Sequence, residues 1–171
     1  MNWRNITNRG SSYSLGHLKN FTFQFIQQAI KGKPERSYDI DVAFSWHCYT
    51  RAPSEADTNV LHQGREVRCF CPERYKYSLL LPDIIQTLGE HYCKQTGKGN
   101  YFIVKVIDVE NIKNNYEIYF QLKKQKKSKN LQLFVQSAYV RNIPDPYRNK
   151  KKKIRFAILV HNVKHGKQIR T

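Results

Sequence analysis

Long apolar runs and signal-like segments are both missing from this sequence. No apolar stretch approaches the roughly 18 to 20 residues that a membrane-spanning helix needs. The stretch from Met1 to Gly16 lacks the apolar core of a secretory signal peptide. We therefore expect a soluble protein that stays in the cytoplasm.

Cysteine is scarce and unevenly spaced. The four cysteines are Cys48, Cys69, Cys71 and Cys93. They are too few for a disulfide framework in a chain of 171 residues, so we expect reduced thiols. Together with His47 and His91 they offer soft metal ligands, but the spacing is not that of a zinc knuckle or ribbon. We favour buried thiols and no metal or other cofactor. The alternative is a structural zinc with Cys69, Cys71 and Cys93 among its ligands.

Acidic residues are nearly missing from the last third of the chain. From Asn115 onward, 15 Lys and Arg stand against two acids, Glu117 and Asp145. This part of the chain carries +13 of the formal net charge of +17. Such clustered charge predicts a polyanionic partner: nucleic acid, with RNA favoured, or an acidic protein such as an antitoxin. No basic amphipathic helix supports a membrane surface as the partner.

The basic residues form three groups that we predict to bind nucleic acid. They are Lys123, Lys124, Lys126, Lys127 and Lys129 in one turn, Lys150, Lys151, Lys152 and Lys153 in a second, and Lys164 and Lys167 near the end. Lysine contacts to phosphate give affinity without sequence readout. The alternative is that these turns are solvated and only keep a sheet protein soluble.

Motifs of several enzyme classes are also missing. The sequence has no glycine-rich phosphate loop, no G-x-S-x-G and no HExxH motif. Carboxylates are scarce where the basic residues gather. Nucleotide hydrolysis, serine hydrolysis and metal-dependent nuclease chemistry are therefore poorly supported.

What the sequence does contain is a series of strand patterns with turn residues between them. Four segments alternate or are rich in β-branched and aromatic residues: Tyr101 to Ile107, Tyr116 to Leu122, Leu131 to Arg141 and Ile154 to His161. Short links between them favour an antiparallel meander, which places the Lys123 turn and Lys164 at the same end. Upstream, Tyr38 to Cys48 predicts a strand with one buried face. The run that starts at Phe21 fits a strand or a helix face, and we favour the strand. Apolar spacing from Leu81 to Tyr92 predicts the main helix.

The predicted fold is therefore α+β. It consists of an antiparallel sheet, with a C-terminal four-strand meander, packed against one main helix, and of an extra N-terminal strand region. Residues 1–16 predict a loose basic arm, and residues 17–171 predict a single domain. The polar span from Arg51 to Arg65 predicts a long loop.

Two polar segments are candidates for catalysis. The strand face read as Leu131, Leu133, Val135, Ser137, Tyr139 and Arg141 changes from apolar to polar along its length. His47 and Arg51 lie where an earlier strand meets the long loop. Metal-independent RNA cleavage needs a proton acceptor, a proton donor and a cation on the phosphate, and His, Tyr and Arg can fill those roles. We predict His47, Arg51, Tyr139 and Arg141 as catalytic residues. The alternative is that these groups are satisfied at the surface and do no chemistry.

The order of elements from Tyr38 to His161 resembles that of small bacterial ribonuclease toxins of the RelE and barnase, EndoU and colicin type. The shared features are a strand region, a main helix and a basic antiparallel meander. The resemblance implies ribonuclease activity, but it carries over no catalytic residue, because none of those families' patterns matches here. Ser45 to Thr50 and Ser137 to Arg141 are also similar to segments of uncharacterised bacterial proteins, which implies no activity.

Two functions follow from these observations. The first is a cytosolic RNA-binding protein that acts as a metal-independent endoribonuclease toxin. The second is a non-catalytic module that binds nucleic acid or an acidic protein partner through the same lysines.

Overall fold

The fold is built on one mixed β-sheet. The computed structural model describes residues 3–30, 32, 34–95, 101–106, 116–141 and 153–169. In chain order its elements are β1 Ile6–Asn8, β2 Ser11–Tyr13, β3 Phe21–Gln27, β4 Arg36–Phe44, β5 Thr50–Arg51, β6 Leu61–Gln63, β7 Glu66–Phe70, α1 Pro72–Ser78, α2 Leu81–Gln86, β8 Tyr92–Gln95, β9 Tyr101–Val106, β10 Tyr116–Lys124, β11 Leu131–Val140, β12 Lys153–Arg155 and α3 Phe156–Lys164. Short 3-10 turns span Gly16–Leu18, Trp46–Cys48 and Leu88–Glu90.

The order of strands in the main sheet is β12-β8-β9-β10-β11-β4-β3 across the described residues. Neighbouring strands are antiparallel except for β11 and β4, which run parallel with Leu131 opposite Ile40. The α+β class predicted from the sequence is confirmed. Because β4 and β11 are parallel, the starts of both strands lie at the same end of the sheet.

The prediction of a fourth strand in the meander is wrong. Strands β9, β10 and β11 pair in antiparallel order, but the segment predicted as a strand from Ile154 to His161 is a short strand followed by helix α3. Phe156, Leu159 and Val160 of this helix are buried. They recur at helical spacing, whereas Ile158 between them is exposed. A short continuous apolar run fits both the period of two residues of a strand and the period of 3.6 residues of a helix. Its pattern therefore does not distinguish the two.

The helix predicted from Leu81 to Tyr92 is shorter in the structure. Helix α2 ends at Gln86, a 3-10 turn follows, and α1 precedes it. The apolar spacing still identifies the buried residues Leu81, Ile84, Ile85 and Leu88. Gly89 lies against Phe25: a Cβ at Gly89 would be 2.7 Å from Cε2 of that ring. The turn therefore needs a glycine at this position.

A β-bulge in β11 reverses the faces predicted for that strand. Phe120 pairs with Val135, but Tyr119 pairs with Ser137, so Gln136 is the extra residue. Beyond the bulge, Ala138 continues the buried face of Leu131, Leu133 and Val135. The predicted single face from Leu131 to Arg141 is thus wrong, because Tyr139 and Arg141 lie on the opposite face of the sheet. An inserted residue shifts the period-two pattern and cannot be read from alternation alone.

The N-terminal stretch and the predicted long loop both contain strands. In the stretch predicted as a loose arm, β1 and β2 form a hairpin through Arg9 and Gly10, which both have positive φ. Tyr13 packs on Phe70 at 4.5 Å between ring centroids. Strands β5, β7 and β6 make a separate three-stranded sheet. None of the helices in the described ranges is long and apolar enough to cross a membrane.

Candidate catalytic cluster and lysine surface

Four polar side chains form a connected cluster at the end of β10 and β11. Glu117 accepts from Arg141 Nε at 2.8 Å and from the Tyr119 hydroxyl at 2.5 Å. Arg141 Nη2 donates to the hydroxyls of Tyr119 and Tyr139, both at 2.9 Å. The two tyrosine rings stack with their centroids 5.6 Å apart. Glu117 lies opposite Tyr139 in the register, so pairing of the two strands assembles this cluster.

Two members of this cluster, Tyr119 and Arg141, have raised pKa values and hold their protons. Burial and the hydrogen bonds to Glu117 and Tyr139 raise the pKa of Tyr119 well above its usual value. The hydrogen bond to Tyr119 raises the pKa of Arg141, and Glu117 adds to the effect against the cost of burial. Tyr119 therefore stays protonated and Arg141 stays charged near neutral pH.

Glu117 itself is buried, with 0% of its side chain exposed, whereas 28% of the Arg141 side chain remains exposed. A buried carboxylate is stable as an ion only when cations and hydrogen-bond donors surround it. Arg141 is therefore structural as well as a candidate for binding phosphate.

Replacing Arg141 by alanine is expected to lower the free energy of unfolding by about 3 kcal/mol, because it removes the cation that holds a buried carboxylate. Urea unfolding measures the loss. The double variant Glu117→Gln with Arg141→Met is the control, and it should recover most of the stability because no buried charge remains. A loss below about 1 kcal/mol in the single variant, the range of an exposed ion pair, would contradict this account.

His47 lies in the 3-10 turn Trp46–Cys48, and an acid holds its ring. Its Nε2 lies 2.7 Å from Glu66 Oε1. A carboxylate only accepts, so Nε2 carries the proton and Nδ1 keeps its lone pair. Burial lowers the pKa of His47, as does the charge of Arg68, against the opposing effect of Glu66. His47 is thus a neutral imidazole near pH 7, oriented by a carboxylate as catalytic bases commonly are.

Arg74 of α1 links His47 to the tyrosine cluster. Its Nη1 donates to the backbone oxygens of His47 at 3.1 Å and Thr50 at 2.8 Å. Its guanidinium lies 4.9 Å from the centre of the Tyr139 ring. Burial lowers the pKa of Arg74, although not enough to remove its charge. Within the described part of the chain, Arg74 has no carboxylate partner.

The sequence predicted neither Arg74 nor Glu117 as part of this site. Helix α1 lacks a long apolar period, so its polar residues gave no reason to single out one arginine. Glu117 carried a signal that could have been used: it is one of two acids in the basic region and lies two residues from Tyr119 in an apolar strand.

Arg51 lies outside this cluster. Its two terminal nitrogens each donate to Asp57 at 2.6 Å, and it lines a polar pocket of about 270 Å³ together with Arg9 and Tyr13. A bidentate pair with a carboxylate satisfies the guanidinium. Of the predicted catalytic residues, His47, Tyr139 and Arg141 thus come together through Arg74, and Arg51 does not.

The lysine surface lies at the opposite end of β11. We use this name for the exposed turn residues Lys123, Lys124, Lys126, Lys127 and Lys129 together with Lys164 and Lys167. The Lys164 ammonium donates to the backbone oxygen of Lys129, so Lys164 joins the turn as predicted, although from a helix. Lys153 lies on β12, with its ammonium 5.8 Å from the centre of the Tyr92 ring. Lys150, Lys151 and Lys152 lie outside the described residues.

Asp41 of β4 anchors the turn that carries these lysines. Its carboxylate accepts from Gln125 at 2.6 Å, Asn130 at 2.9 Å and Thr22 at 2.8 Å. These hydrogen bonds lower the pKa of Asp41 although burial acts to raise it. The turn is therefore held on the sheet at two of its residues, which distinguishes it from a freely solvated loop.

The candidate catalytic cluster, which comprises Glu117, Tyr119, Tyr139 and Arg141, and the lysine surface are separated by the length of β11. This strand has ten residues, and a rise of about 3.3 Å per residue puts its two ends roughly 30 Å apart. A single phosphate cannot contact both. Only an extended ligand of about this length could contact both.

The cysteines are thiols in the described structure. Burial raises the pKa of Cys48 and Cys93 to about 12 each and also raises that of Cys69. All four are free thiols. Among the described residues, no group of three or more His, Cys, Asp or Glu is arranged to hold a metal ion.

A family model described as the YjaZ family matches residues 5–164. No curated protein matches the chain, and no solved structure does.

Proposed function

The chain belongs to the YjaZ family, and we propose that it binds RNA and cleaves it without a metal ion. Arg74 is the observation that carries this proposal. It is a half-buried cation that contacts the backbone oxygen of His47 and the Tyr139 ring and has no carboxylate partner in the described residues. A cation held in this way is suited to bind an incoming anion.

In the proposed reaction, the RNA 2′-oxygen attacks the adjacent phosphorus and the bond to the 5′-oxygen breaks. His47 Nδ1 accepts the proton of the 2′-hydroxyl, while Glu66 holds the ring. Arg74 stabilises the charge on the phosphate. Tyr139 gives its proton to the departing oxygen, and the phenolate that forms lies close to Arg74 and Arg141. The products are a 2′,3′-cyclic phosphate and a free 5′-hydroxyl.

The lysine surface supplies affinity in this proposal. Its lysines hold the RNA backbone roughly 30 Å from the catalytic cluster, so the substrate is a strand several nucleotides long. An acidic protein that covers the lysine surface would act as an inhibitor, as an antitoxin does for a ribonuclease toxin.

A non-catalytic binding module is the second candidate. The observation in its favour is that Glu117, Tyr119 and Arg141 satisfy one another. Such a network stabilises a strand end without any chemistry. In this case the lysine surface binds its partner and the cluster is only structural.

Incubation of the purified protein with end-labelled single-stranded RNA, with and without EDTA, tests the proposal. Cleavage that EDTA leaves unchanged, with 2′,3′-cyclic phosphate ends, is the expected result. Loss of cleavage with EDTA would overturn the metal-independent reaction. Tight binding with intact RNA in every buffer would favour the second candidate.

The pH dependence of cleavage tests the role of His47. Because the pKa of His47 is lowered from 6.5, the neutral base is present above that lowered value and is lost as pH falls through it. The rate at saturating RNA is therefore expected to rise with pH, with a midpoint below 6.5, and to be flat at neutral pH. In Glu66→Gln this midpoint should fall further, because a carboxylate that favours the charged ring is gone. A midpoint above 7 would exclude His47 as the base.

A further inference from the structure

A second group of cations surrounds His161 on α3, away from the catalytic cluster. Arg36 Nη1 lies 2.9 Å from Nδ1 of this ring, and the Tyr38 hydroxyl lies 3.2 Å from the same nitrogen. Lys167 Nζ lies 3.4 Å from Nε2, on the other side. The His165 ring follows, with centroids 4.4 Å apart. Four side chains from two parts of the chain thus meet at the His161 imidazole.

The fold brings these residues to the lysine surface. Arg36 and Tyr38 begin β4, and the parallel pairing of β4 with β11 places them at the end where the lysine turn leads into β11. On α3, Lys164 contacts that turn through the oxygen of Lys129. The His161 cluster therefore adjoins the lysine surface.

A glycine at the end of α3 fixes the position of Lys167. Gly166 has φ of 64°, the Gly166 N–H donates to Val163, and the Lys167 N–H donates to Asn162. This is a Schellman motif, which turns the chain back across the end of the helix. This turn fixes the backbone of Lys167 and places its side chain next to His161.

The cluster contains two cations, Arg36 and Lys167, and neither has a carboxylate partner in the described ranges. The acids of β4, Asp39 and Asp41, alternate to the other face of the strand, where Gln24 and Asn130 donate to them. Two cations that approach one ring from opposite sides repel each other, and a bound anion removes that repulsion. The geometry therefore favours a ligand with several negatively charged oxygens.

We propose that Arg36, His161 and Lys167 form a phosphate-binding site that takes a backbone phosphate of the bound RNA. The identity of the phosphate as RNA rests on the function proposed above, whereas the site itself rests on the cluster alone. Arg36 offers a planar fork and Lys167 a point charge, and the two approach the same ring. The site extends the lysine surface, at the same end of the sheet, by one further phosphate.

Nuclear magnetic resonance of the histidine rings tests this inference with inorganic phosphate as the first probe. In the parent, the His161 and His165 signals are expected to shift with phosphate and to saturate, whereas chloride at equal ionic strength has little effect. Arg36→Gln and Lys167→Gln should each weaken phosphate binding about tenfold or more, as expected for the loss of a charged hydrogen-bond partner. Lys19→Gln, which removes an exposed lysine elsewhere, should bind as the parent does. Equal shifts with chloride, or phosphate affinity unchanged in both site variants, would overturn the site.

A 2′-O-methyl RNA, which cannot undergo the attack by the 2′-oxygen, is the second probe. It is expected to shift the His161 signal, and inorganic phosphate should compete with it there. If phosphate binds but RNA leaves His161 unchanged, the assignment to RNA is wrong and the site is one for free phosphate. If RNA binds the lysine surface while phosphate never reaches His161, this inference fails and the proposed function stands.

Discussion

Replacement of Arg74 by methionine is expected to lower the rate of RNA cleavage at saturating RNA by about 10²- to 10³-fold. This is the size of effect seen when one preorganised donor to a developing charge is removed. Arg74 contacts the backbone oxygen of His47 at 3.1 Å and the Tyr139 ring at 4.9 Å, so it joins the two residues of the proposed proton transfers. Methionine keeps most of the apolar stem and removes only the charged fork. Single-turnover cleavage of labelled RNA measures the rate.

Two further variants separate chemistry from folding in this experiment. Arg74→Lys keeps a charge but cannot donate to two backbone oxygens and reach a phosphate at once, so an intermediate rate is expected. Arg65→Met removes an exposed arginine with the same change in net charge and should cleave as the parent does. Urea unfolding of each variant shows whether the fold is intact. If folded Arg74→Met cleaves RNA like the parent, Arg74 is structural and the proposed site is wrong.

The sequence predicts elements well where one period dominates. The alternation from Tyr38 to Cys48 predicts β4 and its buried face as far as Phe44, because one side of that strand is core and the other is not. The predicted end is wrong, since Trp46–Cys48 form a 3-10 turn. The run at Phe21 is a strand, as favoured. In α3, by contrast, the apolar residues from Phe156 to Val160 are continuous, so the local pattern does not distinguish helix from strand. The packing of this segment against β10 selects the helix.

The candidate site was harder to predict because two of its features are tertiary. The bulge at Gln136 moves Tyr139 and Arg141 to the opposite face of the sheet, and no residue type marks a bulge in the sequence. Arg74 reaches the site only because α1 packs against the end of β11. Residues paired across strands, such as Glu117 and Tyr139, become visible only once the register is known. Charge was the easier part: the lysine turn is exposed, as its composition predicts.

Replacement of the five turn lysines by glutamine, at Lys123, Lys124, Lys126, Lys127 and Lys129, is expected to remove most of the salt dependence of RNA binding. For single strands, log K falls by about 0.7 per neutralised phosphate for each unit of log salt. Five lysines thus contribute a slope of roughly −3 to −4, or about 100-fold in affinity between about 50 and 200 mM salt. Fluorescence anisotropy with a 2′-O-methyl RNA measures this slope without cleavage. Lysine to arginine at the same five positions is the matched control and should retain it, because the charge is unchanged.

The kinetic effect of this change should be opposite to that of Arg74→Met. Because the lysine surface lies roughly 30 Å from the cluster, the glutamine variant should raise KM and leave the rate at saturating RNA within a few-fold. Arg74→Met should lower that rate and leave the salt slope nearly unchanged. These opposite patterns, if observed, would assign binding to one end of β11 and chemistry to the other. A glutamine variant that binds with the parent's salt slope would show that RNA lies elsewhere, and one whose rate at saturating RNA falls as far as that of Arg74→Met would show that the two ends act as a single site.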